Sequence, residues 1–550
     1  MPKHPYVQYF PFDKIRPEQK RAIEFAIDQF ESGKKHVLLE MGTGTGKSAT
    51  GIAIARYMEV YGPILKNKDG DTLTGAYIVT TQKILQDQYM FDFGPASGKN
   101  LIRTIKSSSN YRCKFYEDQT CAESKRLLVK LGKQLNGTDF QKHCKNSCHY
   151  SIDKQEFIDC PISITNMPYF LAETLYSGKL EPRALLIVDE CHNAESELGK
   201  FVEVSFSERF ARDILKCKMP KLDSQQAVLD WVNTTYKRSL NKYTKSLEKN
   251  IASLSGDVAG GGDYSKQLEM LEKHLEKIDK FIETYVESNW VMNVTHPDPN
   301  NKRGGRKFEF KPIDVSPYGQ GILFRSGGRI LMMSATIVDK DVFCMSVGVD
   351  TNEVAYLRIP SPFPVENRPT HFIPAGSMSR DNIDRTLPIM VETVKMLLEK
   401  HSSEKGIIHS SNYKVAKYIQ ENIKSSRVLI HDSLNRDEIL RRHMESKDPT
   451  VLLSPSMMEG VDLRDDQSRF QILCKIPFPY LGDAVVKKRM DRNKSWYSYM
   501  TAKSVIQSFG RSIRNDTDHA ITYILDADWD RFYSRNFLMF PEDFRKCLIT

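Results

Sequence analysis

The chain has 550 residues, with 79 Lys+Arg against 70 Asp+Glu for a formal net charge of +9, and 40% of it is hydrophobic. That length is too great for one core and predicts three or four domains, while 27 Phe and 24 Tyr exclude disorder as the dominant state. No apolar run reaches the roughly 18 residues of a membrane helix, and the opening MPKHPYVQYFPFDKIRPEQ has no apolar signal core, so the expectation is an intracellular protein of the cytoplasm or nucleoid (the nucleus in a eukaryote). The basic excess permits a polyanionic partner without establishing one.

In chain order, RPEQKRAIEFAIDQFE (16–31) has apolar residues at helical spacing, with Pro17 suited to a first turn. HVLLEM reads as a buried strand, GTGTGKS as a glycine-rich turn into a helix through AIARYM, and GAYIVTT as a second strand. This rhythm predicts a parallel sheet with crossover helices. Residues 101–165 are different, with 11 Lys+Arg against 7 Asp+Glu and five of the ten cysteines (Cys113, Cys121, Cys144, Cys148, Cys160) within 48 residues. Without a signal peptide such a cluster suggests metal rather than disulfides. ALLIVDE (184–190) returns to the sheet. Residues 205–292 read as mostly helical, with a stripe of Leu268, Leu271, Leu275, Ile278, Ile282 and Tyr285. SGDVAGGGD and HPDPNNKRGGR read as loops, RILMMSAT (329–336) as a strand, and GIIHS, RVLIH, TVLLS, FQILCKI and AITYILD as the strands of a second open α/β domain.

Three segments carry chemistry. In Met41–Ser48, MGTGTGKS, the backbone N–H groups of Gly42, Thr43, Gly44, Thr45 and Gly46 can cradle phosphate, Lys47 can neutralise it, and the Ser48 hydroxyl can ligate Mg²⁺. The strict pattern wants Gly where Met41 stands. In VDECH, Asp189 ends an apolar strand, where the Mg²⁺-holding acid of a P-loop ATPase belongs, and Glu190 can deprotonate water. In QSFGRSIR, Arg511 and Arg514 share a helical face and suit transition-state phosphate charge. Residues 483–515 hold 8 Lys+Arg, 2 Asp+Glu and the aromatics Trp496, Tyr497 and Tyr499, a candidate path for nucleic acid to set against a solvated face over core aromatics.

Taken together, these residues resemble superfamily 2 helicases of the iron–sulfur type, the XPD-like and DinG-like group. FPFDKIRPEQ (10–19) is similar to the adenine-side motif, with Arg16 and Gln19 on the nucleotide; LLEMGTGTGKS resembles motif I, TTQKILQDQ Ia, VDECH II, MMSAT III, IIHSSNY IV, MEGVDL V and QSFGRSIR VI. Cys191 stands where the DEAH box has alanine, and the chain is short for the group, which implies trimmed inserts. The resemblance implies two RecA-like parallel-sheet domains, the first interrupted by an iron–sulfur insert and a helical Arch. Its boundaries are 1–100, 166–204 and 311–364 for domain 1, 101–165 for the cluster insert, 205–310 for the Arch and 365–550 for domain 2. It implies catalytic roles for Lys47, Asp189, Glu190, Gln507, Arg511 and Arg514, nucleotide contacts by Gly460 and Asp462 beside motif I, and nucleic-acid or coupling roles for Thr81, Gln82, His192, Ser334 and Thr336. Cys160 falls in the strand after the cluster domain, leaving Cys113, Cys121, Cys144 and Cys148 as cluster ligands. The spacing alone leaves zinc open, since Cys144 and Cys148 with His143 or His149 would form half a zinc site. The implied cofactors are ATP, Mg²⁺ and a [4Fe–4S] cluster, and the implied partner is single-stranded and forked DNA, with RNA:DNA hybrids left open. The implied activity is 5′–3′ unwinding by a monomeric motor. A translocase that does not unwind, or a zinc-stabilised binding protein with a structural nucleotide site, are the alternatives.

Overall fold

The computed structural model describes all residues except 1–3, 68, 132–134, 178–179, 222–223, 254–261, 298–303, 433–434, 456–462, 464, 511, 514–516 and 550. Strand His36–Met41 is buried along its whole length, as a strand covered on both faces must be. It lies between Val354–Ile359 and Gly327–Ser334 in a seven-stranded sheet, which continues through Arg183–Asp189, Ala76–Thr80, Ile162–Asn166 and Arg103–Thr104. Every pairing is parallel. Parallel strands end on one edge, so motifs I, III, II and Ia emerge side by side at the carboxyl ends of neighbouring strands, where open α/β sheets bind ligands. Helix Pro17–Glu31 starts with Pro17 in its first turn, and the Arg16 backbone N–H donates to Gln19 Oε1 at 3.0 Å. Its buried Ala22, Ile23, Ala26, Ile27 and Phe30 seal the sheet.

The second sheet also has seven parallel strands, in the order Val428–Ile430, Val451–Ser454, Gly406–His409, Phe470–Leu473, Ile521–Asp526, Thr370–Gly376 and Leu548–Ile549. The fold is therefore α/β with two RecA-like sheets. Val354–Ile359 and Thr370–Gly376 were not legible as strands, because the first mixes Tyr356 and Arg358 into its apolar run and the second is mostly half-exposed.

Two inserts leave the first sheet. The cysteine-rich one carries helices Cys121–Lys130, Asp139–Asn146 and His149–Asp159. The sheet claims both ends of the 101–165 span, as strands Arg103–Thr104 and Ile162–Asn166. The other insert is not simply helical. Val204–Ser207, Lys307–Pro312 and Trp290–Thr295 form a three-stranded antiparallel sheet, and Phe281 of helix Gly262–Thr284 packs on its Phe206 and Phe310. The missed strands alternate, FEF in Lys307–Pro312 burying Phe308 and Phe310 on one face, and sit at the ends of a segment dominated by helical periodicity. Of the expected stripe, Leu268, Leu271 and Ile278 are buried, while Leu275, Ile282 and Tyr285 are half-buried against the same core. Most of both expected loops, 255–263 and 296–306, lies outside the described residues. The inserts touch: Ser265 donates to the Glu123 carbonyl at 2.7 Å, and Arg126 and Lys130 pair with Glu272 and Glu248. Among the described residues no helix is long and apolar enough to cross a membrane.

Candidate active site

The turn after His36–Met41 requires glycine. Gly44 and Gly46 have φ of +87° and +78°, and a Cβ on Gly44 would stand 2.1 Å from Phe363 Cζ. A Cβ on Gly42 would meet the Ser361 backbone N at 2.4 Å, so segment 360–363 packs directly on the loop. The loop is braced from within and from that segment: Thr45 Oγ1 donates to the Gly42 carbonyl at 2.7 Å and Ser361 Oγ to the Thr43 carbonyl at 2.9 Å. Arg16 Nη1 donates to the Gly44 carbonyl at 2.5 Å, and Gln19 Nε2 to that of Gly46 at 3.4 Å. Helix Lys47–Tyr61 starts here, so its free N–H groups face the loop.

Lys47 and the acids of VDECH face each other across this turn. Lys47 Nζ is 3.8 Å from Glu190 Oε1. Asp189 accepts from the Tyr89 hydroxyl at 2.9 Å, and the same hydroxyl is within hydrogen-bonding reach of Ser48. Ser48 and Asp189, the two expected Mg²⁺ ligands, thus share one neighbour. Burial, reinforced by the charge of Glu190, pushes the Asp189 carboxyl up to about 6, the condition of an acid whose natural counter-charge is a cation. Glu190 is one of six described non-glycine residues with positive φ, +51°, a conformation that costs of order 1–3 kcal/mol and clusters at functional sites. His192 Nδ1 is 2.7 Å from Ser334 Oγ and 3.2 Å from Glu190 Oε2, and the Thr336 N–H donates to Ser334 Oγ at 3.0 Å. Motif III is thereby tied to the Glu190 carboxylate through a single imidazole.

The second sheet closes the cleft. Lys503, on helix Lys494–Phe509, donates to the His192 carbonyl at 3.1 Å. A Cβ built on Gly510, at the end of that helix, would lie 3.6 Å from Thr43 Oγ1. Gln507 lines the cleft with a buried Oε1 that has no partner among the described residues. The cavity between the halves measures about 1310 Å³, and Gly42, Thr43, Gly44, Lys47, Ser48, Asp189, Glu190, His192, Thr336 and Gln507 all line it. Gln82 lines its edge, whereas the Thr81 hydroxyl is buried without a partner among the described residues. Arg511, Arg514, Gly460 and Asp462 lie outside the described residues. Tyr89, Glu40, Phe363 and Lys503 were missed from the sequence. Glu40, buried beside the loop, accepts from the N–H groups of Ile337 and Val338 at 2.9 and 3.2 Å. Nothing local marks such long-range partners.

The 483–515 stretch is not an open stacking platform. Trp496 and Tyr499 are 7% and 1% exposed, and Tyr497 donates to the Pro479 carbonyl at 3.2 Å. Arg489 binds Glu195 at 2.6 Å and Arg492 approaches Asn289 Oδ1 at 3.3 Å, so these cations join the halves. Core aromatics and internal pairing won because the helices here dock on the first domain.

Cys113, Cys121, Cys144 and Cys148 line a second, small cavity with Tyr111 and Tyr150, and Cys160 does not. Cys160 Sγ donates instead to the Ile162 carbonyl at 3.1 Å, at the start of a sheet strand. Cys121 and Cys148 Sγ are 3.6 Å apart, and their hydrogen bond draws Cys148 down to about 5 while pushing Cys121 up. Burial pushes Cys144 up to about 12. Four unbridged thiols around one space are a donor set suited to a thiolate-bound metal group.

Comparison with known proteins follows this geometry. A family model described as "Helicase C-terminal domain" matches residues 398–543, and one described as "Type III restriction enzyme, res subunit" matches 13–222. The ATP-dependent DNA helicase YoaA of Haemophilus influenzae is 22% identical, over 95% of this chain and 92% of its own. The structure of S. tokodaii Xpd4 superposes with a TM-score of 0.60 at 14% identity, over 97% of this chain and 100% of that one. Over nearly its whole length the chain is thus similar to ATP-dependent DNA helicases and to XPD-type folds. A further solved structure, described as "XPD_Helicase", aligns with a TM-score of 0.63 at 14% identity, over 96% of this chain and 98% of its own. The YoaA protein of Escherichia coli (strain K12) is 19% identical over 92% of this chain and 91% of its own.

Proposed function

We propose that this helicase hydrolyses ATP to move 5′ to 3′ along single-stranded DNA and separate duplexes, as an intracellular monomer. The observation that carries the reading is the seam. Lys47, Ser48, Asp189 and Glu190 stand on one side of the cleft, and the end of the helix bearing Gln507 and Gly510 abuts Thr43 from the other. Lys47 holds the outer phosphates, and Ser48 with Asp189 holds Mg²⁺, which when bound offsets phosphate charge. Glu190, fixed beside Lys47, orients the attacking water and takes its proton. Arg511 and Arg514, which follow Gly510 in the sequence, supply phosphate-binding charge from the second domain, so closure follows nucleotide occupancy. His192 and Ser334 relay that closure to Thr336. Thr81, Gln82 and the motif V residues Gly460 and Asp462 follow the strand and nucleotide, and the touching inserts supply the ring around the strand. Cys113, Cys121, Cys144 and Cys148 hold a [4Fe–4S] cluster, which ties the insert into one rigid unit.

DNA-stimulated ATP turnover tests this reading. Lys47→Ala should lose it, and Arg511→Ala should lose ~10³-fold or more; full stimulated turnover in Lys47→Ala contradicts the mechanism. Repeating the assay with RNA:DNA hybrids defines the substrate range. Anaerobically purified protein should carry about four irons and four sulfides per chain, and a colourless, zinc-loaded protein refutes the cluster.

A further inference from the structure

Charge is segregated between the two long helices of the second insert. Helix Lys237–Ala252 carries five cations and one acid, whereas Gly262–Thr284 carries four lysines and six acids. The packed face of the first is defined by buried Leu240, Thr244, Leu247 and Ile251. At 100° per residue, Arg238, Lys242, Lys245 and Lys249 fall within about 60° of one another on the opposite face. All four are exposed. No ion pair engages them among the described residues, whereas Lys273 and Lys280 of the neighbouring helix pair with Glu269 and Glu283. The row lines an open trough of about 820 Å³ with Asn241 and Ser246 between the cations, and it shares no residue with the nucleotide cleft.

Unpaired like charges on one helical face repel one another and give no stability. Their attraction for a polyanion is the term that gains. The row spans twelve residues, eleven rises of the helix or about 16 Å, the length of about five phosphates along one strand of a duplex. Asn241 and Ser246 add neutral donors of the kind that bind phosphate. Among the described residues no aromatic lines the trough, whereas single-strand sites combine cations with stacking platforms. We propose that Arg238, Lys242, Lys245 and Lys249 form a second DNA site, holding the backbone of the duplex beside the strand being separated. It rests on the reading that the polymer is DNA, and it gives contact without base specificity.

The test replaces all four by Gln, which keeps helix propensity, and measures affinity for blunt duplex and for oligo-dT against salt. With two to four contacts at about 0.9 each, the duplex slope of log affinity on log salt should become shallower by about 1.8–3.6. Between 50 and 200 mM salt the wild type then loses up to ~150-fold more duplex affinity than the variant. Oligo-dT binding and oligo-dT-stimulated ATPase should be unchanged, which also shows that the variant is folded. An unchanged duplex slope, or a loss on oligo-dT instead, overturns the proposal. An equal fall in a control with Lys414, Lys417, Lys424 and Lys447, all exposed, replaced by Gln makes it a net-charge effect and also overturns it. A wild type whose ATPase no DNA stimulates sinks the helicase reading itself, a failure separable from the others.

Discussion

Glu195 should be the residue on which docking of the two halves depends most. It lies one turn beyond motif II, on helix Ala194–Val202 of the first domain. Its carboxylate accepts from Arg489 Nη1 at 2.6 Å and from Trp496 Nε1 at 3.1 and 3.2 Å, both on second-domain helices. The Glu195 and Arg489 side chains are 12% and 16% exposed, and the guanidinium stands 5.3 Å from the Trp496 ring centroid. Removing one partner of a fully buried pair costs ~3–5 kcal/mol; the residual exposure here lowers the expected cost of Glu195→Ala to about 2–4 kcal/mol. The two charge-assisted bonds are worth roughly 1.5–3 kcal/mol each, so a double-mutant cycle of Glu195→Ala with Arg489→Ala should give a coupling of about 1.5–3 kcal/mol. Urea midpoints followed by tryptophan fluorescence supply the energies. A coupling below about 0.5 kcal/mol would refute the argument that this pair clamps the seam.

Gly44→Ala places a side chain at φ +87°, 2.1 Å from the Phe363 ring, and should weaken binding of a non-hydrolysable ATP analogue at least tenfold; Phe363→Ala in the same chain should restore only the steric share, and full restoration contradicts the backbone argument. Glu190→Gln should keep analogue binding and lose hydrolysis ~10²–10⁴-fold, with equal turnover excluding it as the base. His443 donates to the Gln467 carbonyl and accepts from Thr450, and burial lowers its pKa from 6.5 to about 4. The unfolded chain therefore binds this proton first, so stability is intact above pH 6.5 and falls as pH drops towards 4, by up to ~3 kcal/mol. His443→Gln should flatten that fall in urea midpoints; an unchanged slope rules His443 out as its source.

The strands that bear the motifs were legible because a parallel strand buried on both faces is a short apolar run, as in HVLLEM and ALLIVD. Val354–Ile359 and Thr370–Gly376 escaped because an edge position and half-exposure erase that run. At the candidate site, the residues proposed to hold phosphate stand in contiguous motifs and could be read one by one. The residues that position them could not. Tyr89 reaches Asp189 across 100 residues, and Lys503 reaches His192 across 311. Trp496 and Tyr499 misled for the same reason, since an aromatic beside lysines is written alike whether it stacks on a base or fills a domain seam.

The central claim, that turnover at the seam separates strands, is tested most directly on duplexes carrying a single 5′ or 3′ tail, with ATP and with a non-hydrolysable analogue. The account predicts release of the 5′-tailed strand with ATP alone. Stimulated ATP turnover with no strand released from either substrate would contradict it and leave a translocase that does not unwind.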